Sequence, residues 1–159
     1  MFRIEDSMGA FGIDIDSQAV CIFGPGITKD EALDCMVESL YRTDVVEDRE
    51  AFRVAVRERE SIMSTGIGSG VAIPHVRINE VKRPTVGVGI SKAGIDFDTL
   101  DDAPVHVVVL FAMPQGSQRE YLGLLAQVML TLKVPGFRDR LLACDTVEEA
   151  LEVLNKSWR

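Results

Sequence analysis

Cysteine is scarce in this chain of 159 residues: Cys21, Cys35 and Cys144 are odd in number and far apart. That spacing supports neither a disulfide framework nor a cysteine-rich zinc site. Only two histidines, His75 and His106, accompany them, so no metal centre is expected. No apolar run comes near the roughly 20 residues that a membrane span needs, which predicts no direct membrane insertion. The first residues lack the basic-then-apolar order of a secretory signal, and a cytoplasmic location is the resulting expectation. Basic residues are outnumbered, 17 Lys and Arg against 25 Asp and Glu, for a net charge of −8. Nucleic-acid binding relies on cations that displace counterions from phosphates, so no nucleic-acid partner is expected and protein partners are favoured.

What is present is the make-up of an ordinary folded domain, 47% apolar and 26% charged. A chain of this length buries roughly two thirds of its unfolded surface in one core. Residues 1–17 carry Gly9, Gly12 and several acids with little periodicity. They read as an extension, either a mobile arm or a packed one, ahead of a domain over 18–159.

Ala19 to Phe23 reads as a short strand closed by Gly24-Pro25-Gly26. Thr28 with Glu31 forms a capping box that opens a helix whose buried face is Ala32, Leu33, Met36, Val37, Leu40 and Tyr41. A second helix starts at Asp48 and turns Phe52, Ala55 and Val56 inward. Along its surface Arg49, Arg53 and Arg57 make a stripe, which is either a dock for an acidic partner or a solvated face held by Glu50 and Glu58. Thr85 to Ile90 is a strand weakened by glycines. Val105 to Met113 is a nearly continuous β-branched and apolar run between two prolines, the pattern of a central strand covered on both faces. His106 within it reads as a strand histidine with one satisfied hydrogen bond. Ser117 and Glu120 form a second capping box, for a helix with Leu122, Leu125, Ala126, Met129 and Leu132 inward. Pro135-Gly136 breaks that helix. A short helix over 137–142 and a last one capped by Thr146 and Glu149 complete the chain. Strands separated by helices predict an α/β fold, a single layered domain with a mixed, mostly parallel sheet flanked by helices.

The stretch that carries chemistry runs from Arg59 to His75: Arg-Glu-x-x-x-Ser-Thr-Gly-Ile-Gly-x-Gly-x-Ala-Ile-Pro-His. Gly66, Gly68 and Gly70 permit backbone conformations that turn several N–H groups toward one point, where an anion would bind. The alternative is that they only close an irregular turn. Pro74 stiffens the backbone just before His75, whose imidazole serves as nucleophile, acid, base or ligand near neutral pH. The dinucleotide and P-loop fingerprints are both absent from this glycine pattern.

This string closely resembles the signature of the fructose/mannitol-type EIIA domains of the bacterial phosphotransferase system, including their nitrogen-regulatory branch. The resemblance extends from about Asp16 to the C-terminus and implies the same α/β class. It implies that His75 carries a phosphoryl group and that Arg59 lies near the phosphate. It also implies no cofactor and no metal, an HPr-type phosphocarrier protein as donor, and an EIIB-type domain as acceptor. Under it the chain is a phosphohistidine phosphotransferase, if competent in transfer. Arg59 would clamp phosphate oxygens; the glycine-loop amides and the hydroxyls of Ser64 and Thr65 either supply further donors or only close the turn locally.

Two departures from the family pattern stand out. Where family members commonly place a second histidine, this chain has Tyr121, a longer side chain whose hydroxyl remains a donor. Val76 replaces the usual glycine after Pro-His and is expected to narrow the approach to the ring. The departure at Tyr121 keeps open a second function, a regulatory binding module whose surface changes when His75 is phosphorylated and whose target is a regulatory protein.

Overall fold

The computed structural model describes residues 9–156 and Trp158. Along them run β1 (Val20–Phe23), α1 (Lys29–Arg42), α2 (Arg49–Ile62), β2 (Gly66–Gly68), β3 (Val71–Ala72), β4 (His75–Arg77), β5 (Thr85–Ile95), β6 (Val105–Met113), α3 (Gln118–Leu132), α4 (Phe137–Leu142) and α5 (Val147–Leu154). One sheet holds all six strands in the order β1-β5-β6-β3-β2, with β4 also on β6. Along one side β6 pairs antiparallel with β5; along the other it pairs parallel, first with β3 and then with β4. Three of the five pairings are parallel, so the sheet is mixed and mostly parallel, as the sequence pattern predicts.

Period-two alternation along β6 sorts its side chains onto two cores. Val107, Val109, Phe111 and Met113 join α3, α4 and α5, whereas Val108, Leu110 and Ala112 join α1 and α2. A strand covered on both faces must be apolar at nearly every position, which is why this run is continuous. The glycines of β5 let α1 approach: a Cβ at Gly89 would lie 2.7 Å from the Phe23 ring and 2.9 Å from the Met36 sulfur.

The helices begin mostly where their caps predict. Thr28 with Glu31 and Thr146 with Glu149 form complete capping boxes, and Asp48 caps α2. Ser117 does not cap α3; its hydroxyl donates to the Pro114 carbonyl instead. The inward face of α3 is also rotated from the expected one. Tyr121, Val128, Thr131 and Leu132 are buried and Leu124 and Leu125 pack beside them, while Leu122 and Ala126 are exposed. A helix apolar on nearly every side leaves its phase undetermined, and the ring of Tyr121 settles it here. Tyr41 likewise lies at the rim of α1, under the guanidinium of Arg49.

The arginine stripe of α2 is neither a free dock nor held chiefly by its own helix. Arg49 pairs with Glu38, Arg53 with Asp34 and Glu50, and Arg57 with Asp30 and Asp34, so acids of α1 neutralise most of it.

Of the extension, residues 1–8 lie outside the described residues. Ala10, Phe11 and Ile15 are buried in the α3–α5 core, and the Ala10 carbonyl accepts from Thr131 Oγ1 at 2.6 Å and Gln127 Nε2 at 3.1 Å. Phe11 is fully buried against Phe137. Phe11→Ala is therefore expected to lower unfolding stability by about 3–5 kcal/mol in urea titrations; an unchanged midpoint would mean that this segment contributes nothing to the core.

Candidate functional site

His75 opens β4 in register with Phe111 of β6. Alternation sends Val76 into the α1/α2 core, which leaves His75 and Arg77 on the opposite face, beside α3. Val76 therefore does not narrow the approach to the ring, contrary to expectation. The imidazole stacks on Tyr121 with centroids 5.0 Å apart and planes 24° from parallel. Tyr121 in turn meets Phe111 edge-on at 5.4 Å, so a residue of the central strand fixes the platform that fixes the imidazole.

His75 Nδ1 lies 3.4 Å from the Ile73 carbonyl oxygen. A carbonyl only accepts, so this long contact is a hydrogen bond only in the tautomer protonated at Nδ1, the one whose Nε2 lone pair is available for chemistry. Burial pushes the pKa of His75 below its ordinary 6.5; the Ile73 contact acts against the shift, the Arg59 and Arg77 charges add to it, and Glu60 opposes it. Burial also raises the Tyr121 phenol above its ordinary range, against Arg77 and Arg59, so it stays a neutral hydroxyl.

At the end of α2, neighbouring residues point opposite ways. Arg59, partly exposed, donates from Nη1 to the Met63 carbonyl at 3.0 Å. Glu60 is buried, and its Oε1 accepts from Lys29 Nζ at 2.7 Å and from the Thr65 backbone N–H at 3.0 Å. The loop over 63–65 is thus held from both sides. Glu60 Oε2 and Thr65 Oγ1 are buried without a partner among the described residues.

Of the residues expected at the site, the structure stacks His75 on Tyr121 and sets the charge of Arg59 near enough to act on both rings. It carries Gly68 and Gly70 away from them, whereas the Thr65 carbonyl accepts from the Ile73 N–H, two residues before His75. Ser64 Oγ donates to the Phe97 carbonyl at 2.6 Å and accepts from Gly66 N–H at 3.1 Å, which closes the turn locally. Thr65 is buried. Gly66 lies so near Thr99 that a Cβ would fall 2.2 Å from its methyl group. Gly68 and Gly70 take positive φ at the tip of the β2–β3 hairpin, where the Ser69 N–H donates to the Asp101 carboxylate at 3.3 Å. The Gly70 carbonyl accepts from His106 and Val107 N–H. Val107 and Phe111 are four residues apart on β6, roughly 13 Å along a strand. The tip thus lies well away from His75, and a carboxylate of the chain already takes the amide that an anion would use.

Three side chains near the site went unread in the sequence: Arg77, Glu60 and Lys29. Arg77 would have been found had 75–77 been read as a strand, because period two puts it on the face of His75. His106 sits apart, its Nδ1 2.9 Å from the Ser91 carbonyl, the single hydrogen bond expected of it. Among the described residues no cluster of three His, Cys, Asp or Glu side chains is placed to share a metal ion, and no helix is long and apolar enough to cross a membrane.

Comparison with known proteins follows the same lines. Residues 19–157 match the family model for the phosphoenolpyruvate-dependent sugar phosphotransferase system, EIIA 2. The chain is 34% identical over 128 residues to the fructose-specific EIIABC component of Bacillus subtilis, a match of 80% of this chain but only 20% of that longer protein. It is 32% identical to the fructose-specific EIIA component of Haloferax volcanii, over 82% of this chain and 84% of that protein. The nitrogen regulatory protein of Pseudomonas aeruginosa is also 32% identical, with the same coverage of 82% and 84%. Among solved structures, the nitrogen regulatory protein IIA-Ntr of Neisseria meningitidis superposes with a TM-score of 0.76 at 23% identity, over 87% of this chain and 94% of that one. The mannitol IIA of Escherichia coli, solved in complex with phosphorylated mannitol IIB, gives a TM-score of 0.71 at 21% identity, over 88% of this chain and 96% of that one.

The environment of His75 makes a measurable claim. Its imidazole should titrate below 6.5 in the folded protein, so the neutral form that keeps the Nε2 lone pair predominates at pH 7 and is lost only as pH falls through that lowered midpoint. NMR titration of the two histidine ring signals, assigned with His75→Ala, checks this; a His75 midpoint at or above 6.5 would contradict it.

Proposed function

This chain belongs to the EIIA 2 family of the phosphoenolpyruvate-dependent sugar phosphotransferase system, and on that premise we propose that His75 accepts a phosphoryl group from an HPr-type phosphocarrier and passes it to an EIIB-type domain. The observation that carries this reading is an imidazole stacked on Tyr121, its Nδ1 facing the Ile73 carbonyl in the geometry that suits an unprotonated Nε2, with the Arg59 and Arg77 charges acting on it.

In the forward step the Nε2 lone pair bonds to phosphorus as the bond from phosphorus to the donor's imidazole nitrogen breaks, that electron pair staying on the donor. The Nδ1 proton stays in place. Charge spreads over the three equatorial oxygens, where Arg59 can spare N–H groups beyond the one given to Met63. Stacking on Tyr121 holds the ring in one plane, so an incoming phosphorus meets Nε2 in line. Return transfer to the acceptor reverses these bond changes. The EIIB-type partner is supported by family membership and by the complex that the mannitol IIA of the same fold forms.

A second reading is favoured by Tyr121. An aromatic platform in place of the second family histidine suits a domain that holds its phosphoryl group and signals by it. Equal identity to a fructose EIIA and to a nitrogen regulatory protein keeps both roles within reach.

Incubation with phosphorylated HPr should place acid-labile phosphate on the wild-type chain and none on His75→Ala. Arg59→Gln should slow labelling by roughly tenfold to a hundredfold, the worth of a charge-assisted hydrogen bond. Absence of label on wild type would defeat the proposal. Label that leaves for an EIIB domain favours relay, and label that stays favours regulation.

A further inference from the structure

We propose that Arg77 is a phosphate-binding residue of this chain, a second guanidinium seated over the ring of Tyr121 that takes an oxygen of the phosphoryl group on His75. The inference rests on His75 being the acceptor and adds a residue that the Arg59-to-His75 stretch does not contain.

Placement comes first. His75 and Arg77 lie two residues apart on β4, on the face away from the buried Val76. The Arg77 guanidinium carbon is 5.9 Å from the centre of the Tyr121 ring, and that ring is 5.0 Å from the imidazole of His75. One aromatic side chain therefore positions both the nucleophile and the cation. The backbone is anchored as well, since Gln115 Nε2 donates to the Arg77 carbonyl at 3.2 Å.

Availability comes second. Arg49, Arg53 and Arg57 are tied to carboxylates, Arg138 donates to the Ser69 carbonyl, and Arg59 spends one N–H on Met63. Among the described residues the guanidinium of Arg77 makes neither a hydrogen bond nor an ion pair, although the chain carries an excess of acids. An unspent planar fork of donors beside a nucleophilic nitrogen matches the oxygens of a phosphoryl group. The charged and titratable groups around His75 are Arg59 and Glu60 from α2, Arg77 from β4 and Tyr121 from α3, and Arg77 is among those that hold the imidazole neutral.

The test uses the full chain with phosphoramidate as a small phosphoryl donor, followed by 31P NMR, together with ring titration by 1H NMR. Arg77→Gln should take label at His75 at least roughly tenfold more slowly, and its His75 midpoint should rise because a repelling charge is gone. Arg77→Lys should keep the low midpoint and recover part of the rate. The His106 signals, remote from the change, report that the variants are folded. A wild-type rate in Arg77→Gln, or an unmoved His75 midpoint, overturns this inference alone. A wild-type chain that takes no label overturns the acceptor role of His75 and this inference with it.

Discussion

The backbone ladder along one edge of β6 is the constraint on which the site depends. That edge first receives β3 at Val107 and Val108 and then β4 at Phe111, Ala112 and Met113, with the Pro74 carbonyl accepting from Phe111 N–H between them. Proline cannot donate to a ladder, so at position 74 it interrupts the strand without leaving an unmet N–H. A one-residue slip of β4 would turn His75 into the α1/α2 core and bring Val76 to the surface. That slip is forbidden because it would drive the His75 imidazole and the Arg77 guanidinium into an apolar core and expose Val76.

Charge is distributed to serve the same end. The chain is acidic overall, and most of its α2 arginines are matched by carboxylates on α1, which ties the two helices together on one face. Exposed pairs of that kind add little stability each. Arg59 and Arg77 are two of the several cations that have no carboxylate partner among the described residues, and they are the two whose charge acts on His75. Glu60, next to Arg59, is turned inward to Lys29 and to the Thr65 amide, so it holds the loop and forms no ion pair with Arg59 or Arg77 among the described residues. Among the described residues its second oxygen and the Thr65 hydroxyl have no partner beneath that loop, a local cost of keeping a carboxylate under an arginine-bearing helix end.

The elements that local chemistry specifies are legible in the sequence. Capping boxes at Thr28 and Thr146, the Gly24-Pro25-Gly26 and Pro135-Gly136 breaks and the apolar run of β6 each rest on residues a few positions apart. The buried face of α3 is not legible because leucines surround that helix, and Ser117 does not cap it because the Pro114 carbonyl takes its hydroxyl. Strand β4 went unread because three residues are too few to show a period.

By itself the sequence determined the family, the class of fold and the identity of His75, Arg59 and Tyr121 as the residues to watch, since these follow from motif order and from spacing along the chain. Only the tertiary structure decided which donors face the imidazole. It set the glycine hairpin roughly four strand positions from the ring, gave its amide to Asp101, and brought Arg77 beside Tyr121 instead. The reason is that register between strands distant in sequence is fixed by packing on both faces of β6, and no local pattern records it.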